Sequence, residues 1–340
     1  MRKAIALLLV LLGLLNSCSQ HPQPYRDRLY VFGTLVEITL YADSPQQAQQ
    51  ALAAIHSGFR EFHRQWHAWR PGGIVMRINQ AIAAGQCIDV PASVKGFILK
   101  SQTLTRASGG LFDPGIGWLV DLWGFHGAVF TGPPPAEAHI QQWRQQRPSL
   151  LHIYFKGNNL CSHHRQVHLD FGANAKGLAL DLAIDLIQQA DIQHAIVNIG
   201  GDMKTLGAKP NGQPWRIGVQ DPFNPDQLIA QVTLNGGEAL VTSGTYQRYF
   251  NWQGIRYSHI LDPTTGWPAH GLVSVTVLHP DATTADAAAT ALLVAGPERW
   301  RAVATQMGID YAAVIDQTGQ LSLTPAMQQR WHKLSQRGSP

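Results

Sequence analysis

Apolar and polar positions alternate along the chain with two different periods. Residues 29–42, LYVFGTLVEITLYA, read as strand, with Phe32, Gly33 and Thr34 inside it. Ser44 and Pro45 then make a good N-cap and first-turn pair. Behind them Ala48, Leu52, Ile55, Phe59, Phe62 and Trp66 recur at spacings of four and three, the stripe of a helix with one buried face. The same pattern predicts a helix over residues 92–107, closed by Gly109 and Gly110. A long loop follows over residues 111–135, and a polar, Gln-rich helix after Ala136. The middle of the chain predicts strands at 151–155 and 166–171, a helix at 175–190 and a strand at 195–199. From 215 to 277 short strands are separated by Gly, Asn and Pro turns. The strand 273–277 leads into two helices, a hairpin over 311–323 and a last helix. Strands and helices mixed without βαβ repetition indicate an α+β fold.

The N-terminus changes the picture of where such a fold would work. Arg2 and Lys3 precede an unbroken apolar run from Ala4 to Leu15, and the small-residue stretch Asn16-Ser17-Cys18 follows. This is the layout of a secretory signal. The run is shorter than the roughly 18 apolar residues of a membrane span. Leu15-Asn16-Ser17-Cys18 resembles a bacterial lipobox, which makes Cys18 the expected lipidated first residue of the mature protein and the membrane a partner through that lipid. The expected organisation is a signal peptide at 1–17, a polar, proline-bearing tether at 18–28 and one globular unit at 29–340. The formal net charge is +4, part of it in the leader, and no basic stripe suggests nucleic acid. Cys87 and Cys161 are the other two thiols; an oxidising periplasm would let them pair, but two cysteines are too few to define a framework.

Four stretches carry candidate chemistry. In LDFGANAKGLALD, a strand turns through Gly172-Ala173-Asn174 into a helix that starts at Ala175 and Lys176. A helix N-terminus with a lysine stabilises an anion; a plain strand-to-helix turn is the competing reading. In AIVNIGGD, Gly200 and Gly201 before Asp202 allow close approach of the backbone to a ligand, or simply a tight turn. In the stretch from Val241 to Pro268, Ser243 and Thr265 offer hydroxyls beside glycines, and His259 is a candidate general base. Finally, Asp286 and Thr290 lie four apart and share a helix face. A carboxylate and a hydroxyl form an oxygen set that suits Mg²⁺ when substrate phosphates complete its shell. His63, His67, His163, His164 and His168 lack a nearby Glu in a metalloprotease arrangement and read as surface histidines.

Taken in order, FGT at Phe32, MRIN at Met76, FDPGIGWLVDLWGF at Phe112, LDFGANAKGLALD, AIVNIGGD, TSGTYQRYF, YSHILDPTTGWP and ADAAATAL resemble the ApbE family of FAD:protein FMN transferases. The resemblance implies a T-shaped α+β fold with mixed sheets, packed helices and an FAD cleft between subregions. It implies Mg²⁺ held by the Ala175 carbonyl and the side chains of Asp286 and Thr290, with the Ala289 carbonyl in addition. It places Lys176, Asp202, Ser243, Thr265 and the ring of Trp69 at the flavin nucleotide, and His259 at the acceptor hydroxyl. The implied activity is transfer of FMN from FAD to a Thr or Ser of a periplasmic or membrane-complex protein, with release of AMP. An FAD pyrophosphatase and a non-catalytic FAD-binding lipoprotein are the alternatives. Departures from the family pattern include His63 and His67 where an acid and a serine are usual, Trp69 for a frequent tyrosine, Asn174 in the phosphate-side turn and Thr245 after TSG.

Overall fold

The computed structural model describes residues 23–127 and 129–334. The expected signal peptide and the lipidated Cys18 lie outside the described residues. Of the expected tether, residues 25–28 are already in the sheet, because the first strand is Tyr25–Val31 and pairs along its whole length with Thr34–Tyr41. Residues 29–42 are therefore a hairpin and not one strand. Phe32 (φ 60°) and Gly33 (φ 73°) both take left-handed conformations in the two-residue turn between these strands, a geometry whose twist matches that of the flanking strands.

Eight strands form one antiparallel sheet. Their order is Tyr25–Val31, Thr34–Tyr41, His194–Ile199, Asp202–Leu206, Ala239–Gly244, Leu272–His279, Tyr311–Asp316 and Leu321–Leu323. Period-two alternation sends residues to opposite faces. Val241, Val275 and Val277 face the helix Ala282–Gln306. Leu240, Leu278 and Ala313 face a three-stranded sheet made by Trp215–Gln220, Leu228–Leu234 and Trp331–Lys333. Leu272–His279 is buried on both faces, which accounts for its unbroken run LVSVTVL.

The helix Pro45–Trp66 forms as its sequence indicates. Ser44 accepts from the N–H of Gln47, Pro45 occupies the first turn, and Ile55, Phe59 and Phe62 are buried against the helix Ala175–Gln189 and the first strands. The helices Ala92–Ala107 and Glu137–Gln146 also match their predicted spans. Two helices were not expected: Ile74–Ala84, closed by a left-handed Gly85, and the short Gly117–Leu122 inside the predicted loop. The segment 166–171 is not a strand: residues 165–166 form a turn, and its one bridge joins His168 to Ile116. Cys87 and Cys161 form a disulfide beside the small sheet of Ile88–Asp89, Asn159–Ser162 and Ile153–Lys156.

Two helices set the site. Ala175–Gln189 and Ala282–Gln306 pack so tightly that a Cβ on Gly177 would come within 2.3 Å of the Ala282 carbonyl oxygen. Each helix also caps the other. Asp181 accepts from the N–H groups of Ala282 (3.1 Å) and Thr283 (3.0 Å), and Asp286 accepts from the N–H of Gly177 (2.9 Å). Free N–H groups at helix starts need such partners. Their exchange between helices brings Lys176 and Asp286 to one point. The stretch Ala282–Gln306 breaks at Gly296, whose backbone (φ 73°, ψ 178°) is not helical, and restarts at Pro297, so two helices follow the strand as expected.

Candidate active site

A cleft of about 230 Å³ opens at the end of the strand Ala239–Gly244. Its wall gathers Lys176 from one helix N-terminus, Asp286 and Thr290 from the other, Thr242 to Gly244 from the strand, and His259 from the segment after Ile255–Ser258. Phe112, Ile116, Val120 and Phe125 supply an apolar side.

Asp286 is 3 % exposed, and burial pushes its carboxyl up to about 7. The Lys176 ammonium and the Gly177 N–H work against that rise, while Asp202 adds to it. Thr290 Oγ1 lies 3.3 Å from Ser243 Oγ, so a second hydroxyl joins the oxygen set. Burial disfavours the charged Lys176, yet Asp202 and Asp286 outweigh it and hold its ammonium above the ordinary lysine value. Lys176 ion-pairs with Asp202.

His259 is held by one residue. Its backbone N–H and its Nδ1 both lie 3.0 Å from the Arg248 carbonyl oxygen. A carbonyl only accepts, so Nδ1 carries the proton and Nε2 is left as the basic nitrogen. Burial, then the Arg248 and Lys176 cations, push the ring down to about 3, and it is neutral at pH 7. The Arg248 guanidinium lies 4.8 Å from the Phe130 ring and donates to the Phe125 carbonyl (3.2 Å). Burial pulls its pKa down, with Asp170 opposing.

Not every expected residue lines the cleft. Asp202 is 1 % exposed and sits behind Lys176, accepting from the Thr242 N–H at 3.0 Å. Trp69 reaches the wall through Asp170, to which its Nε1 donates at 2.8 Å, and its ring stacks on His168 at 4.5 Å. Thr265 lies in the turn between Asp262 and Gly266, where its hydroxyl accepts from the Trp267 N–H, and it does not face the cleft. Ala175 opens its helix next to Lys176. Ala289 is fully buried inside its helix, one residue before Thr290. Gly200 and Gly201 make the tight turn between two paired strands. His168 is 7 % exposed with Nε2 unpartnered, contrary to a surface reading. Arg248, Asp170 and Gln247 are wall residues that the sequence did not single out.

The ApbE family model matches residues 32–315. The chain belongs to the ApbE family. An FAD:protein FMN transferase of Rhodobacter capsulatus is 40 % identical over 330 residues, which is 96 % of this chain and 62 % of the relative. The chain thus spans less than two thirds of that protein. A Vibrio cholerae FAD:protein FMN transferase is 34 % identical over 254 residues, 72 % of this chain and 73 % of its own. Among solved structures, an ApbE protein of Thermotoga maritima superposes with a TM-score of 0.83 at 31 % identity, covering 91 % of this chain and 99 % of that one. The flavinyl transferase ApbE of Pseudomonas stutzeri gives 0.78 at 30 % identity, covering 91 % and 97 %. The mixed α+β architecture is accordingly that of ApbE structures.

Proposed function

We propose that the protein transfers FMN from FAD to a Thr or Ser hydroxyl of an acceptor protein and releases AMP. One observation carries the reading: a cleft that sets Lys176 at a helix N-terminus also holds a buried carboxyl, two hydroxyls and a neutral histidine with a free Nε2. Curated relatives in the same family bear the name FAD:protein FMN transferase.

The donor set fits Mg²⁺. Among the described residues no group of three or more His, Cys, Asp or Glu is placed to hold a metal ion, so a cation here would need hydroxyl, carbonyl and substrate oxygens to complete its shell. Asp286, Thr290 and the Ala175 carbonyl are hard oxygen donors, and a carboxylate destabilised by burial gains most from a cation. When bound, Mg²⁺ supplies charge neutralisation at a diphosphate. The chain's own groups do the rest. Lys176, at a helix N-terminus, binds diphosphate oxygens. His259 Nε2 takes the proton as the acceptor oxygen bonds to the FMN-side phosphorus. The bond from that phosphorus to the bridging oxygen breaks, and AMP leaves with the oxygen. Burial above all, and then the Arg248 and Lys176 charges, keep His259 a weak base; the anionic substrate offsets the part that the charges contribute.

Secretion and a lipid on Cys18, with work at the periplasmic face of a membrane, belong to the same proposal. The Cys87–Cys161 disulfide supports an oxidising compartment. No helix among the described residues is long and apolar enough to cross a membrane. The test incubates the chain after Cys18 with FAD, Mg²⁺ and an acceptor domain, reading acceptor mass and AMP together. An FMN-sized gain that EDTA abolishes is expected. AMP with free FMN and no labelling would replace transfer by FAD hydrolysis, and intact bound FAD would leave a carrier.

A further inference from the structure

The cation donors come from two elements. The Ala175 carbonyl belongs to the first turn of one helix, and Asp286 and Thr290 to the opening turns of the other. The gap between these oxygens is therefore set by the offset of two helix starts, and whatever fixes that offset shapes the site.

Asp181 and Lys204 fix it from behind, since neither lines the cleft. Asp181 reaches from its own helix to the start of the other. Its Oδ1 accepts from the Ala282 N–H at 3.1 Å, and its Oδ2 from the Thr283 N–H at 3.0 Å and the Thr283 hydroxyl at 2.7 Å. The Lys204 ammonium donates to the same Oδ1 at 2.6 Å. The Asp181 side chain is 18 % exposed and that of Lys204 12 %, so the pair is largely withdrawn from water.

Lys204 joins a third element to the two helices. It stands two residues after Asp202 on the strand Asp202–Leu206, so both side chains leave the same face of the sheet. Asp202 holds Lys176 and Lys204 holds Asp181, an acid and a base of the strand answering a base and an acid of the helix. A slide of the helix along the strand would break both pairs at once.

The start of the second helix is satisfied group by group. The Thr284 N–H goes to the Asp281 side chain at 2.7 Å and the Ala285 N–H to the Asp281 carbonyl at 3.0 Å, which leaves Ala282 and Thr283 to Asp181. Asp281 is the helix's own cap, whereas Asp181 comes from the neighbouring helix and turns capping into a fixed distance between the two. Gly177 against Ala282 limits how near the helices come, and Asp181 limits how far they part. The reverse contact, from the Gly177 N–H to Asp286, uses a carboxylate that a cation would claim. Asp181 keeps its contacts in either case.

We propose that Asp181 and Lys204 are a positioning pair for the cation site: they hold the two helix starts at a close, rigid spacing, and so make the cleft prefer Mg²⁺ to Ca²⁺. The inference rests on the Mg²⁺ reading of the cleft. Mg²⁺ takes oxygens at about 2.0–2.1 Å in near-ideal octahedral geometry, whereas Ca²⁺ accepts about 2.3–2.6 Å and irregular shells. Rigid spacing therefore penalises the larger ion, and loose spacing admits it.

The experiment titrates Mg²⁺ and Ca²⁺ separately into metal-stripped protein holding FAD, without acceptor, and reads each Kd by calorimetry. Wild type is compared with Asp181→Asn, Lys204→Met and Lys204→Arg, each checked for a cooperative urea transition. Asp181→Asn keeps an oxygen for the helix N–H groups but loses the ion pair; Lys204→Met removes the charge and leaves Asp181 in place. Both are expected to weaken Mg²⁺ binding about tenfold or more, the usual cost of removing a group that orients metal ligands, with a clearly smaller loss for Ca²⁺. Lys204→Arg keeps the charge and is expected to keep the wild-type preference. An unchanged Mg²⁺ Kd in Asp181→Asn and Lys204→Met, even with an earlier urea midpoint, makes the pair a structural brace only and overturns the proposal. Equal losses for Mg²⁺ and Ca²⁺ overturn it as well, because the spacing then selects nothing. Absence of Mg²⁺ binding by wild type removes the cation reading of the cleft and the pair's role with it.

Discussion

Replacing Asp286 by Asn is expected to stabilise the metal-free protein. The folded carboxyl titrates at about 7, whereas an unfolded Asp titrates near 3.9. A raised acid pKa means that the folded state holds its proton longer, so ionisation opposes folding increasingly as pH climbs from the unfolded to the folded value. Above pH 7 the penalty levels off at about three pKa units, on the order of 4 kcal/mol; at pH 5 less than half of it remains. Asn keeps an oxygen to accept from the Gly177 N–H and adds no charge. Lys176 remains paired with Asp202. Denaturant melts in EDTA at pH 8 and pH 5 are the assay. The variant should exceed wild type by several kcal/mol at pH 8, and most of that margin should vanish at pH 5. Added Mg²⁺ should raise wild type alone and abolish its disadvantage, while the variant loses Mg²⁺-dependent turnover. A variant no more stable than wild type at pH 8, or a margin that ignores pH, would refute the reasoning.

Gly177→Ala forces a Cβ to within 2.3 Å of the Ala282 carbonyl, so a loss of about 1–3 kcal/mol, seen as an earlier urea midpoint, is expected together with weaker Mg²⁺ binding as the helices part. A wild-type midpoint would show that the helices have slack. Opening the Cys87–Cys161 bridge by Cys87→Ser frees a 74-residue separation in the unfolded chain and should cost about 2–4 kcal/mol, measured against reduced wild type as the control.

Local signals predicted local structure well. The Ser44-Pro45 start, the stripe from Ala48 to Trp66 and the helix over 92–107 depend on neighbours one turn away, and folding leaves them as read. The helix Ile74–Ala84 was legible in principle, since Ile74, Val75, Ile78 and Ile82 mark one face and Gly85 its end. The segment at 166–171 was misread because apolar alternation there serves packing, with Val167, Leu169 and Phe171 in a core shared by helices and the small sheet.

By itself the sequence determined the α+β class, the order of the motifs and the residue types that gather at the cleft: a lysine at a helix start, a carboxylate and hydroxyl one turn apart, and a histidine beside a strand. Only the tertiary structure decided which of them face one space. It set Asp202 behind Lys176, turned Thr265 away, buried His168 and brought the Arg248 carbonyl to His259. It also paired Cys87 with Cys161. The physical reason is range. Periodicity and capping are encoded within a few residues, whereas a carboxyl pushed up to about 7 exists only where Asp286 is buried beside Lys176 and Asp202, 110 residues apart at the extremes.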